Sequence, residues 1–253
     1  MALLFAVNAF EVSHMQLSVV VPVKNEEENV APLVAEICAA LAGKQFEIIY
    51  VDDGSTDRTW PVLQELMASV PQLRVVRHRA SCGQSTAVLS GVRAAQAPLV
   101  ATLDGDGQND PADIPRLLQV WQQEAARDGS IGCVAGWRTK RQDTALRRFS
   151  SRIANGVRSS LLQDNTPDTG CGLKLFSREA FLRLPYFDHM HRFLPALFMR
   201  ETLRVVSEPV NHRSRERGVS KYGLHNRLWV GLVDIAGVSW LLRRAKNPDL
   251  IKD

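Results

Sequence analysis

Cysteine is scarce in this chain and scattered: Cys38, Cys82, Cys133 and Cys171 include no C-x-x-C pair. That excludes a disulfide framework and a clustered zinc site, and it fits a reducing cytosol. Aromatic residues make up only 7% of the sequence, and no helix-turn-helix, zinc-finger or RNP pattern occurs, so no nucleic-acid partner is expected. No apolar run reaches the roughly 20 residues that span a bilayer. One run, Leu228 to Leu242, is interrupted by Asp234 and flanked by Arg227, Arg243 and Arg244. It suits an amphipathic helix that lies on a membrane, docks on its own domain or forms a dimer contact. The apolar start, Met1 to Phe10, lacks a basic n-region and a small-residue cleavage site, so residues 1–15 are expected to form a flexible leader rather than a signal peptide.

The 253 residues, 45% hydrophobic and 23% charged, suffice for one large α/β domain with a modest extension. The net charge of +4 conceals an asymmetry. Residues 1–130 hold 9 Lys/Arg against 16 Asp/Glu, a balance of −7, whereas residues 131–253 hold 22 against 11, a balance of +11. An acidic half suits a cation and its nucleotide; a basic half suits a phosphorylated acceptor or an anionic membrane surface.

Up to Trp137 the pattern alternates strand and helix. Apolar runs at Leu17–Val23, Phe46–Val51, Leu73–Arg77, Leu99–Leu103 and Ile131–Ala135 read as strands, and helical periodicity fills the intervals. Such alternation predicts a doubly wound, mostly parallel sheet. Beyond Trp137 the order is less regular: a basic helix over Leu146–Leu162, a strand within Cys171–Ser177, a helix over Arg192–Leu203, a strand over Arg204–Asn211 and a charged loop over Arg213–Tyr222.

Two acidic clusters follow strands, Asp52-Asp53-Gly54-Ser55 and Asp104-Gly105-Asp106-Gly107-Gln108. In an open parallel sheet ligands bind beyond the carboxyl ends of strands, so both clusters belong on one rim. Carboxylates crowded there repel and raise one another's pKa unless a cation joins them, which points to a divalent metal and a phosphorylated ligand. Pro22-Val23-Lys24-Asn25-Glu26 leaves a third strand and forms another wall of the same cleft. His189 and His191 form an H-x-H that reads as ordinary structure ahead of a helix.

Pro22-x-x-Asn25-Glu26, Val51-Asp52-Asp53-Gly54-Ser55-x-Asp57 and Asp104-Gly-Asp106-x-Gln108-x-x-Pro111 resemble the family 2 inverting glycosyltransferases, in particular the dolichyl- and polyprenyl-phosphate sugar synthases. The resemblance runs over about residues 16–223 and implies the Rossmann-like GT-A fold, with a nucleotide-sugar half over 16–137, an acceptor half over 138–223, and a helix and tail over 224–253. It implies that Pro22, Val23, Asn25, Glu26, Asp52, Asp53, Gly83, Gln84 and Asp104 hold the nucleotide, and that Asp106 and Gln108 hold Mg2+ or Mn2+ on the diphosphate. By resemblance Arg138, Arg147 and Ser151 hold the lipid phosphate, Arg215, Ser220 and Lys221 complete its cage, and Asp104, Asp106, Arg138 and Arg147 form the catalytic set. The implied reaction moves mannose or another hexose from a GDP- or UDP-sugar to a polyprenyl phosphate, on the cytoplasmic face of a membrane. A phosphate monoester is largely dianionic at neutral pH, so such an acceptor needs no general base.

Other readings are weaker. Asp104-Gly-Asp106-Gly also resembles the nucleophile motif of haloacid-dehalogenase phosphatases, but Gln108 replaces the usual Thr or Val and the Asp pair precedes the motif. A soluble or glycolipid hydroxyl acceptor stays open. The Gln-x-x-Arg-Trp motif of processive polysaccharide synthases is absent.

Overall fold

The computed structural model describes residues 15–139, 162, 164, 166–215 and 225–246, with the backbone alone for 225–230. At its centre is β1 (Leu17–Val23), LSVVVPV, apolar almost throughout as a parallel strand covered on both faces must be. It pairs in parallel with β2 (Phe46–Asp52), which pairs with β3 (Leu73–Arg77); on its other side lies β4 (Leu99–Thr102). With β5 (Ile131–Arg138), β6 (Lys174–Ser177) and β7 (Arg204–Val210) the seven-stranded order is β3-β2-β1-β4-β6-β5-β7. Only β6 runs antiparallel to its neighbours. The carboxyl ends of the other strands therefore share a rim with the amino end of β6.

The helices are α1 (Glu27–Ala40), α2 (Thr59–Ser69), α3 (Gln84–Ala94), α4 (Ile114–Asp128), α5 (Arg178–Arg183), α6 (Leu194–Arg200) and α7 (His225–Arg243). Alternation along the strands divides the core. Val19 and Val21 of β1 meet Leu33 of α1, Leu63 of α2 and Leu117 of α4 on one face, while Val20 and Ile49 meet Val88 of α3 on the other. Phe176 of β6 stacks on Phe181 of α5 at 5.0 Å and tilts against Phe198 of α6 at 5.7 Å, extending that second layer towards Val238 of α7. Local chemistry fixes the ends: α4 carries Pro115 in its first turn and stops at Gly129, whose φ of +68° suits glycine.

The doubly wound sheet predicted from the periodicity is present, and β5 extends three residues past its expected end, to Arg138. Helix α5 was not legible as a separate element. The basic helix expected over 146–162 lies, Leu162 apart, outside the described residues, as does nearly all of the 1–15 leader. The amphipathic character expected of the C-terminal helix needs correction. Helix α7 buries Val238 against the second layer, yet its outer face is also apolar, with Leu232, Val233 and Trp240 exposed.

At the rim opposite the acidic clusters, Glu47 is 2% exposed and collects donors from three segments. Ser18 Oγ and the Gln96 N–H each donate to Oε1 at 2.6 Å, and Arg74 Nη1 donates to Oε2 at 2.6 Å. Glu47→Ala leaves the buried Ser18 hydroxyl and the Gln96 N–H without their acceptor; since Gln96 is exposed and Arg74 half exposed, the expected loss is about 1–3 kcal/mol in urea unfolding. Nucleotide affinity is expected to stay unchanged, because this network sits at the far ends of the strands.

Candidate active site

Strand β2 ends in two aspartates with different tasks. Asp52 is fully buried; its Oδ1 accepts the Ser55 N–H at 2.9 Å, and Arg77 Nε of β3 lies 3.2 Å from Oδ2. It holds the turn into α2 and is not among the residues that line the cleft, whereas a direct contact with a nucleotide was expected of it. Asp53 does line it. Its carboxylate accepts N–H bonds from Cys82 (2.7 Å) and Gly83 (3.0 Å) and the Ser81 hydroxyl (2.7 Å), with His78 Nδ1 at 2.8 Å. Burial alone would raise its pKa, but these partners outweigh burial and hold it below the usual carboxylate range. Asp53, His78 and Cys82 bring possible ligand atoms within 4.8 Å of one another. The carboxylate is already engaged, and a mixed oxygen, nitrogen and sulfur set is poorly matched to a hard cation, so the group acts as a strut for the 81–83 loop.

The loop after β1 is clamped in a similar way. Asn25, at φ +51°, accepts the Thr56 N–H on Oδ1 at 2.7 Å and donates its own N–H to Ser55 Oγ at 2.9 Å. It is spent on joining two loops and does not line the cleft. Glu26 does, and its Oε1 accepts from Arg215 Nη2 at 2.7 Å. Arg215 Nη1 also lies 3.9 Å from Asp106 Oδ2, so a residue beyond β7 reaches across to the β1 and β4 ends. Gln108 turns away: its N–H donates to Asp106 Oδ1 at 3.1 Å, and its main chain pairs with Arg213.

Asp104 occupies the middle of the cleft floor. Gln84 Nε2 donates to its Oδ1 at 2.9 Å, and Asn109 Oδ1 accepts its backbone N–H at 3.0 Å. Burial first, then the neighbouring Asp106 charge, pushes its pKa up to about 6, against the pull of Lys174, Arg138 and the Gln84 bond. Gly172 makes this position possible, since a Cβ there would fall 2.2 Å from Asp104 Oδ2. Two carboxylates that line one cleft form an all-oxygen donor set of the kind that suits Mg2+ or Mn2+. Arg138, expected on the acceptor phosphate, instead forks onto Asp168, with Nε to Oδ2 at 2.6 Å and Nη2 to Oδ1 at 2.8 Å. Asp168 lines the cleft; Arg138 stands behind it.

These loops enclose a cleft of about 860 Å3. Of the residues expected there, Pro22, Val23, Glu26, Asp53, Gly83, Gln84, Asp104, Asp106 and Arg215 line it; Asn25, Asp52, Gln108 and Arg138 support it from behind. Arg147, Ser151, Ser220 and Lys221 lie outside the described residues. The sequence reading missed Lys174, His189, His191 and Arg192 as cleft residues. The H-x-H spacing was a signal for the histidines, but only the fold turns residues 188–192 towards the start of α3.

His191 sits in that turn, its Nδ1 2.7 Å from Ser85 Oγ. Burial, then the charges of Arg192, Lys174 and His189, push its pKa from 6.5 down to about 3. Between those values the unfolded chain binds a proton that the folded chain does not, so stability is full above pH 6.5 and is lost as pH falls. The slope from this residue reaches up to about 1.4 kcal/mol per pH unit. Urea titrations at about pH 7 and about pH 5 are expected to show a smaller acid loss in His191→Gln than in the wild type.

Comparisons with known proteins agree with this architecture. The profile of "Glycosyl transferase family 2" matches residues 18–184. A dodecaprenyl-phosphate galacturonate synthase of Rhizobium johnstonii is 34% identical over 243 residues, covering 94% of this chain and 70% of that protein. An undecaprenyl-phosphate 4-deoxy-4-formamido-L-arabinose transferase of Edwardsiella ictaluri is 37% identical over 212 residues, covering 82% of this chain and 63% of its own length. The chain thus spans between three fifths and three quarters of these curated relatives. Among solved structures, a mannosyltransferase from Pyrobaculum calidifontis in complex with GDP-Man and Mn2+ superposes with a TM-score of 0.64 at 21% identity, covering 92% of this chain and 66% of that one, a likeness of fold. With a seven-stranded, mostly parallel sheet, an acidic cleft at its carboxyl rim and a family match over most of its length, the chain belongs to glycosyl transferase family 2.

Proposed function

We propose that this glycosyltransferase moves one sugar from a nucleotide-sugar to a polyprenyl phosphate, with inversion at the anomeric carbon. The observation that carries the reading is the pair Asp104 and Asp106 converging with Glu26 and Arg215 on one cleft at the strand ends. The two curated relatives described above are both named for a polyprenyl-phosphate acceptor but for different sugars, which supports the acceptor class and leaves the sugar open.

Asp104 and Asp106 are the residues that would hold Mg2+ or Mn2+; Gln108, spent behind the rim, fits that role less well than the sequence implied. When bound, the cation neutralises the diphosphate and eases its departure. Arg215 brings a further positive charge to the same side. The Asp53 strut fixes the 81–83 loop, which this reading assigns to the nucleoside. An oxygen of the acceptor phosphate attacks the anomeric carbon from the face opposite the diphosphate; the new C–O bond forms as the C–O bond to the nucleotide breaks. The chain's task is to hold two anions in line at attacking distance, for which no general base is needed.

Among the described residues no helix is long and apolar enough to cross a membrane. Helix α7 nonetheless exposes Leu232, Val233 and Trp240, the last two 70% and 59% accessible, beside exposed Arg243, Arg244 and Lys246. An apolar stripe ending in basic residues matches an anionic bilayer surface, where a polyprenyl phosphate resides.

Two experiments test the reading. Purified chain is incubated with GDP- and UDP-sugars, Mn2+ and a short-chain polyprenyl phosphate, and release of nucleoside diphosphate is followed; Asp106→Ala is expected to lower the rate at least about 100-fold, and a chelator to abolish it. Metal-independent transfer, or turnover that ignores the lipid phosphate, overturns it. In co-sedimentation with anionic vesicles, Leu232→Asp with Trp240→Asp is expected to lower the bound fraction about tenfold. Equal binding of wild type and variant removes α7 from the membrane contact.

A further inference from the structure

Asp188, His189, His191 and Arg192 line the cleft beside the start of α3, and the turn that carries them is pinned from two sides. His191 is held to Ser85 at the start of α3. His189, at φ +65°, places Nδ1 3.0 Å from Asp234 Oδ2 of α7. The carboxylates at this turn are thereby occupied, since Asp188 Oδ1 also accepts the His189 N–H at 2.8 Å.

Arg192 follows in the same turn, half-buried and lining the cleft. Its guanidinium forms no ion pair or hydrogen bond among the described residues. Nearby cations differ: Arg215 is on Glu26, Arg138 is on Asp168, and Lys174 Nζ donates to the carbonyls of Thr169 and Cys171. A guanidinium drawn partly out of water without a counter-charge is unfavourable, and in a cleft that need is met by an anionic ligand. The depressed pKa of His191, to which Arg192 contributes after burial, registers the same positive potential.

We infer that Arg192 binds the phosphate of the polyprenyl acceptor, while the exposed stripe of α7 receives the hydrocarbon chain of the same molecule. This assignment rests on the function proposed above. The donor diphosphate is assigned above to the side of Asp104, Asp106 and Arg215, where the two carboxylates would hold it through a cation. The Asp234–His189 contact places α7 directly against the turn that carries Arg192, so phosphate and chain find partners on adjoining elements. An acidic donor sugar is the other source of an anionic oxygen group, and the kinetics separate the two.

Initial rates of the full chain are measured with a short-chain polyprenyl monophosphate and the preferred nucleotide-sugar, each varied in turn. Arg192→Ala is expected to raise KM for the lipid phosphate about 10- to 100-fold, as loss of a charge-assisted hydrogen bond does, with donor KM unchanged within about twofold. Arg192→Lys is expected to recover part of the loss, because it keeps the charge without the planar fork. Melting temperature and nucleoside-diphosphate binding with Mn2+ check folding, and Arg192→Gln replaces the alanine variant if that one does not fold. An unmoved acceptor KM, or a rise confined to donor KM, overturns the assignment while the wild type still transfers. A wild type that transfers to no polyprenyl phosphate overturns the functional reading and this assignment with it.

Discussion

Asp104 and Asp106 leave the same strand end and share one half-buried space, and their mutual repulsion is the constraint around which the rest of the cleft is arranged. The chain moderates that repulsion without cancelling it. Arg215 stands 3.9 Å from Asp106, while Lys174 and Arg138 act on Asp104 by field alone because their own donors are committed elsewhere. Among the described residues, the side chain that bonds the Asp104 carboxylate is the neutral amide of Gln84. Acceptor capacity is thus kept on both carboxylates, as a site for a hard cation and a diphosphate requires.

The reversed strand explains how distant segments reach this spot. In an all-parallel sheet the loop before a strand lies on the far rim. Because β6 runs antiparallel between β4 and β5, its amino end delivers residues 168–174 to the carboxyl rim, where Gly172 grazes Asp104 and Thr102 Oγ1 donates to the Gly172 carbonyl at 2.7 Å. The basic half of the sequence is thereby set against the acidic half. In the reaction proposed above, holding both anions in one cleft lowers the entropic barrier to their reaction without any proton transfer.

Strand positions were legible because buried parallel strands are continuous apolar runs, and β1, β2 and β4 fall where the sequence puts them. Strand direction was not legible, since the four residues of β6 carry no mark of which way they run. The acidic clusters announced the rim, but not which member of Asp52-Asp53 faces the cleft; that depends on register, and a shift of one residue exchanges the two. Arg138 shows a different limit. Its charge and place after β5 were visible, whereas its bidentate partner, thirty positions later in the chain, appears only when β5 and β6 pair. Helix α7 departs from its expected amphipathic form because apolar residues occupy its exposed side, Leu232, Val233 and Trp240, as well as its buried one, while the polar Asp234 turns to His189.

The residues that brace the loops of the cleft are not failures of the motif. Asn25 fastens the loop after β1 to the loop after β2; Asp52 fastens that loop to β3; Asp53 fastens it to residues 81–83. Backbones meet so closely there that a Cβ at Gly54, whose φ is +68°, would lie 2.7 Å from the Ser81 nitrogen. Each contact removes freedom from a loop before any ligand arrives, and the ordering entropy is met during folding rather than during binding. A reaction that needs an attacking oxygen held about 3–3.5 Å from a carbon gains more from such fixed walls than from additional ligand contacts. In this chain, residues spent on other residues set the geometry that the ligand-facing ones use.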